Sequence, residues 1–254
     1  MTVAAPARVA VSVVPALLAV AVAAQIGYPL VAGTTRDALT VVIVVVVAAA
    51  ALCSAATTRG RPALVVLALS TVIGGFAVEV LGVHTGFPFG RYRYDGSLGP
   101  TLFGVPLVIA CAWPMLAWPS AVAARHLTHS YPARVLLGAW ALTAWDVFLD
   151  PQMVAAGHWH WLHPAPHLPG VPTVPLTDYV GWFAVALLVS AVLQRLLNAT
   201  SIGDRWPLMF YVWTWASSTL ALLAFLGLAA AALWGCAAMG TVAIPVLRVL
   251  ARRS

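Results

Sequence analysis

The sequence predicts an all-α fold: a polytopic bundle of transmembrane helices, about eight spans with seven as the alternative, forming one integral membrane domain over residues 1–254. Three observations predict it. Hydrophobic residues make up 62% of the chain and charged residues only 8%, against the roughly 25% charged of a soluble domain. Mean hydropathy is +0.96. Apolar runs of the length a bilayer requires, about 20 residues, recur from one end of the chain to the other.

Spans are expected at about 9–32, 38–57, 62–83, 102–124, 134–149 and 178–197, followed by an apolar stretch from Pro207 to Leu250. That stretch is too long for one crossing and fits two, with a tight turn near Gly227 or Gly235. Arginines decide the count, because basic residues near span ends accumulate on the cytoplasmic side. With the N-terminus inside, Arg8, Arg59, Arg61, Arg125, Arg134, Arg195 and Arg205 fall inside, and Arg36, Arg91 and Arg93 outside. Eight spans add Arg248, Arg252 and Arg253 to the inside, whereas seven place them outside. Eight are favoured, in the cell membrane, with both termini cytoplasmic. The first 30 residues share features with a signal peptide, but the apolar run continues to Ala32, longer than such a leader needs. Cys53, Cys111 and Cys236 lie far apart inside expected spans, which reads as packing and gives no disulfide framework. The net charge of +6 is a topology signal, and nothing in it points to nucleic acid.

The same topology sorts the polar residues. Asp37, Glu79, Asp95, Asp146, Asp150 and Asp178 fall at or near the outer ends of spans, as do His84, His158, His160, His163 and His167; Asp204, His126 and His129 fall inside. Two long outer loops lie among them, His84 to Leu107 and Asp150 to Trp182. Each approaches its next helix through Gly-Val-Pro, at 104–106 and 170–172, which hints at paired re-entrant or interfacial segments.

Each acid has a structural and a chemical reading. Glu79 follows a run with no other charge, and a carboxylate in hydrocarbon costs about 2.5 to 3.5 kcal/mol even on a lenient insertion scale. It either pairs with Arg91 or Arg93 at the interface or lines a site. Asp146 and Asp150 are four residues apart, so both project from one helical face. Two carboxyl groups that close resist being ionised together, the arrangement acid/base chemistry needs. Otherwise Asp150 ends the helix before Pro151 and Asp146 pairs with an arginine. His158, His160, His163 and His167 suggest a metal site only weakly, because Pro164 and Pro166 break any helix that would align the last two; no metal is expected. Trp159, Trp161 and Trp182, with Phe87, Phe89, Tyr92 and Tyr94, read most simply as an interfacial aromatic belt, with the walls of an apolar pocket as the alternative.

In combination these blocks carry a resemblance. VEVLGVHTGFPFGRYRY at 78–94, GPTLFGVPL at 99–107, AWDVFLDPQM at 144–153, Trp161, and the GVP and GW at 170–172 and 181–182 resemble the membrane carotenoid 1',2'-hydratases. That family of carotenoid biosynthesis proteins includes the hydratases of monocyclic carotenes and the bisanhydrobacterioruberin hydratases. The resemblance covers about residues 70–185, and the family pattern carries Asn where this chain has Asp178. It implies addition of water across the terminal C1'-C2' double bond of an acyclic carotenoid end group, giving a tertiary alcohol. The substrate comes from the bilayer, water from the outer face, and other carotenoid biosynthetic enzymes are further candidate partners.

The chemistry fits the residues without a cofactor. A proton donor makes a tertiary carbocation, a carboxylate deprotonates the water that captures it, and aromatic faces stabilise the cation. Asp146, Asp150 and Glu79 are the candidate catalytic acids, with the donor left open. Arg91, Tyr92, Tyr94, Trp145, Asp178, Trp182 and His84 are the candidate substrate-binding residues, Arg91 as organiser of the carboxylates. Three other readings stay open. Asp146 and Asp150 form an Asp-x-x-x-Asp motif like those that bind magnesium and diphosphate in intramembrane prenyltransferases, although only one such motif is present. End-group cyclisation shares the carbocation. A non-enzymatic carotenoid-binding protein would use the acids structurally.

Overall fold

A computed structural model describes residues 6–197 and 199–252. Arg253 and the side chain of Arg8, both expected on the cytoplasmic side, lie outside the described residues. The helices are α1 (Pro6–Gly27, extended by a 3-10 turn at Tyr28–Leu30), α2 (Gly33–Arg59), α3 (Arg61–Leu67), α4 (Gly74–Thr85), α5 (Ile109–Leu127), α6 (Tyr131–Ala155), α7 (Leu176–Leu196), α8 (Arg205–Ala224) and α9 (Ala229–Ala251). A π-helical turn at Ala68–Ile73 joins α3 and α4 into one rod. The carbonyls of Val66 and Leu67 just before it accept the hydroxyls of Ser70 and Thr71 at 2.7 and 2.6 Å, which keeps backbone acceptors paired where the helix widens. The described residues therefore form eight rods, as the arginine distribution expects.

Six rods are long and apolar enough to cross a membrane by their own composition. The other two, α5 and α6, are the interior of the bundle. Every residue of α5 from Ala112 to Ala124 is buried, and α6 packs along α5, α7 and α9. A helix wrapped by its neighbours needs no uniformly apolar surface, so it can carry the bundle's polar groups.

Two boundaries differ from expectation for local reasons, and the structure chooses between the two positions expected for a third. Residues 101–106 form a small antiparallel hairpin, β2 (Thr101–Leu102) with β3 (Val105–Pro106), and α5 starts only afterwards. Helix α6 runs through Pro151 to Ala155, so Asp150 lies within the helix and does not end it. The α8–α9 turn is at Gly227, whose φ of 69° suits glycine; Gly235 is mid-helix, where a Cβ would stand 2.6 Å from the Phe148 ring. The two Gly-Val-Pro segments are the hairpin's return and an irregular turn before α7, and neither is a re-entrant helix.

One further pairing ties the long outer loops together. Strand β1 (Tyr92–Tyr94) runs antiparallel to β4 (Trp159–Trp161), with Tyr92 opposite Trp161, Arg93 opposite His160 and Tyr94 opposite Trp159. Side chains alternate across a strand. The four outer aromatics consequently face the bundle, with Arg93 and His160 exposed on the other side.

Candidate active site

The site sits under this two-stranded cap, where α4, α5, α6 and α7 meet. Glu79, on α4, is 5% exposed. Its Oε2 accepts the Tyr92 hydroxyl at 2.6 Å and the Tyr94 hydroxyl at 2.9 Å, and its Oε1 accepts Trp113 Nε1 from α5 at 3.3 Å. Gly82, one turn along α4, makes room for this clamp: a Cβ there would stand 2.7 Å from the Tyr92 oxygen. Burial pushes both phenols well above their ordinary range, and the neighbouring Glu79 charge adds to it. They therefore remain protonated donors.

The other three acids meet with few donors, the Trp159 indole beside Asp150 being the side-chain donor near them. Asp146, Asp150 and Asp178 are at most 3% exposed, and each offers a carboxyl oxygen within 4.8 Å of the other two. The helical repeat places Asp146 and Asp150 on one face of α6, and the first turn of α7 delivers Asp178 to the same point. Neither oxygen of Asp146 or of Asp178, nor Oδ2 of Asp150, reaches a donor group among the described residues. Three buried carboxylates cannot all be ionised in contact. Shared protons relieve the repulsion; a hard divalent cation is the alternative that an all-oxygen donor set would suit.

Aromatic rings enclose the acids. Trp113 stacks on Trp182 at 4.2 Å between centroids, and Trp145 meets Trp182 edge-on at 6.2 Å. Phe89 bridges Trp182 to Tyr92, which contacts both Trp161 and Tyr94, and Tyr94 contacts Trp159. Inside this arc is a cavity of about 30 Å³ walled by Glu79, Asp150, Asp178 and the rings, room for one or two waters. Beside it lies a mainly apolar cavity of about 120 Å³ between α1, α2, α5, α6 and α8. Ile109, Ala112, Leu149 and Trp159 wall both cavities. Asp146 walls neither and stands behind Asp150.

Of the residues expected from sequence, the fold brings Glu79, Tyr92, Tyr94, Trp145, Asp146, Asp150, Asp178 and Trp182 together. It does not bring Arg91 or His84. Both are exposed, on the loop side of the cap and at the end of α4, and Arg91 organises no carboxylate among the described residues. Glu79 is paired with phenols and an indole, and neither Arg91 nor Arg93 reaches it. The interfacial-belt reading of Trp159, Trp161 and Trp182 is corrected as well, since all three are at most 8% exposed and wall the site. His158 is fully buried, with Nδ1 2.7 Å from Ser97 Oγ, whereas His160, His163 and His167 are exposed. The structure adds Trp113, Phe148 and Met153, the last two walling the larger cavity. Trp113 follows no pattern in α5; its signal is Gly75 on α4, whose missing side chain leaves space for the indole, a complementarity between helices that spacing along one chain does not reveal.

Residues 37–247 match the family model described as carotenoid biosynthesis protein. The chain is 31% identical over 141 residues to the bisanhydrobacterioruberin hydratase of Haloarcula japonica, a stretch that covers 51% of this chain and 44% of that relative. No solved structure matches. Since the family model spans most of the sequence and its match includes every acid of the site, the chain belongs to the carotenoid biosynthesis protein family.

Proposed function

We propose that the chain is a cofactor-independent carotenoid hydratase, which adds water across the terminal C1'-C2' double bond of an acyclic end group to give a tertiary alcohol. The observation that carries this reading is the adjacency of two chemically different acid sets across a water-sized cavity. Asp150 and Asp178, backed by Asp146, have the Trp159 indole beside Asp150 as their one nearby side-chain donor among the described residues and would share protons between them, so they suit proton donation. Glu79 is held by three donors, which suits a fixed carboxylate that orients and deprotonates water.

The end group would lie in the apolar cavity with its terminal double bond directed past Leu149 and Trp159 toward the acids. A carboxyl proton from Asp150 or Asp178 adds to the less substituted alkene carbon, leaving a tertiary cation facing the ring arc. Water in the small cavity adds its oxygen to that carbon, and Glu79 takes the released proton. Passing that proton back to the aspartates closes the cycle, with alkene and water consumed and alcohol formed. Asp146 touches neither cavity and acts as a positioning residue. We place the acids and the cap on the outer face, with both termini cytoplasmic, and the substrate arriving from the lipid.

Pigments extracted from a carotenoid-producing host test the reaction by mass. Expression should add one or two waters to the pigment, and Asp150→Asn or Glu79→Gln should cut that conversion by about 10²-fold or more. Unchanged hydroxylation by Asp150→Asn would sink the assignment. Conversion should also survive excess chelator, because among the described residues no basic side chain lines either cavity to receive the diphosphate of a prenyl donor. Loss of activity on chelation, restored by magnesium, would favour the prenyltransferase reading.

A further inference from the structure

The larger cavity has two kinds of wall. Where it adjoins the small cavity it is lined by Ile109, Ala112, Leu149 and Trp159. The rods α1, α2 and α8, which contribute nothing to the small cavity, bring polar groups: Gln25, Tyr28, Thr40 and Thr214. Most of these already have partners. Gln25 Oε1 accepts Trp213 Nε1 at 2.8 Å. The hydroxyls of Thr40 and Thr214 donate to the carbonyls of Arg36 and Phe210 at 3.0 and 2.9 Å, which uses their hydrogens and leaves their lone pairs. Tyr28 differs. It is 5% exposed, and its buried hydroxyl has no hydrogen-bond partner among the described residues. The Arg36 guanidinium lies over its ring, 5.5 Å from the centroid, and is itself tied to the Val31 carbonyl at 2.8 Å.

A buried hydroxyl left unpaired is costly, and this one walls a cavity whose other polar groups can only accept. A hydrocarbon filling the cavity would leave every one of them unmet. A carbonyl would satisfy Tyr28 alone, whereas an alcohol both accepts and donates. A linear chain of repeating isoprene units also gives apolar walls little to tell one unit from the next, and a few placed polar groups fix orientation. We propose that the substrate's end group carries a hydroxyl a few bonds from its terminal double bond, that Tyr28 donates to this oxygen, and that Thr40 or Thr214 accepts from it. The contact sets which double bond meets the acids. The identity of the reacting bond rests on the hydration reading, but the binding preference does not.

Quenching of intrinsic tryptophan fluorescence by bound pigment reads affinity without turnover, using the full chain in lipid nanodiscs. The probes are lycopene and its analogues hydroxylated at C3 or at C4, which keep the terminal double bond. One of the hydroxylated pigments should bind about fivefold to tenfold more tightly than lycopene. Tyr28→Phe should abolish that preference and bind lycopene as the parent does. Equal binding of all three pigments by the parent would overturn the proposal. So would a Tyr28→Phe variant that binds every pigment less tightly by the same factor, which would mean that the hydroxyl serves packing or an ordered water only. Pigment mass from the same samples separates the two readings. A Tyr28-dependent preference with no gain of water keeps this subsite and rejects hydration, and hydration of all three pigments with no preference does the reverse.

Discussion

The two kinds of carboxyl group differ by what surrounds them, and single atoms test the difference. A hydrogen bond to a charged group is worth about 1.5 to 3 kcal/mol, so Tyr92→Phe, which removes the 2.6 Å contact to Glu79, should lower conversion by about tenfold to a hundredfold. Removing Tyr94 as well should cost more than the two losses combined, because Glu79 would keep only Trp113. Normal conversion by the double variant, measured by pigment mass at equal protein level, would show that the clamp is irrelevant. Sequence made Asp146 and Asp150 visible through their four-residue spacing, and Glu79 through its isolation in an apolar run. It left open that Asp146 stands behind Asp150, because rotation about the helix axis depends on what packs against each face. Arg91 lies away from the carboxylates for a related reason: it directly precedes β1, next to Tyr92, whose side chain faces the bundle, and the strand is evident only once β4 is known.

At the scale of elements, the cap is held to the helices by His158. Its Nδ1 meets Ser97, which also donates to Asp95, and its Nε2 lies 3.9 Å from Asp37 at the start of α2. Burial holds the imidazole below its ordinary value of 6.5, with Arg36 acting the same way, while Asp37 and Asp95 oppose them. A histidine whose folded value is depressed favours folding in its neutral form. Docking of the cap should thus be complete above about pH 6.5 and weaken as the pH falls through the folded value. Amide exchange reads this at Asp95, whose N–H donates to the His158 carbonyl at 3.1 Å. Protection there, corrected for intrinsic rate, should drop between about pH 7 and pH 5; protection that rises on acidification would contradict it. Composition alone marked both loops as polar and aromatic. Their pairing joins residues some seventy positions apart, beyond any local pattern.

For the whole molecule, eight rods return the chain to the side where it begins, and the acids lie at the end opposite the Arg59–Asp204 ion pair. Single cysteines in a background lacking Cys53, Cys111 and Cys236 test the direction. With an impermeant maleimide, Ser97→Cys and His163→Cys should label on intact cells, and His129→Cys and Arg252→Cys only after lysis. The reverse pattern would invert the placement of the active site. Hydropathy and arginine spacing were enough to expect eight crossings, because both follow from the bilayer and not from packing. The central place of α5 and α6 was not legible, since a helix shielded by protein is free of the composition rule that reveals the others.

The π-helical turn between α3 and α4 also has a bearing on descent. A turn of this kind commonly absorbs one additional residue without rotating the helix beyond it, so the rod accommodates a change of length at Ala68–Ile73 that it would not accept elsewhere. Deleting Ser70 should leave Glu79 facing the aspartates, whereas deleting Val78 should swing it by about 100°. A kindred chain one residue shorter in this rod is accordingly best aligned with its gap at the wide turn, where inheritance can lose a residue and keep the chemistry.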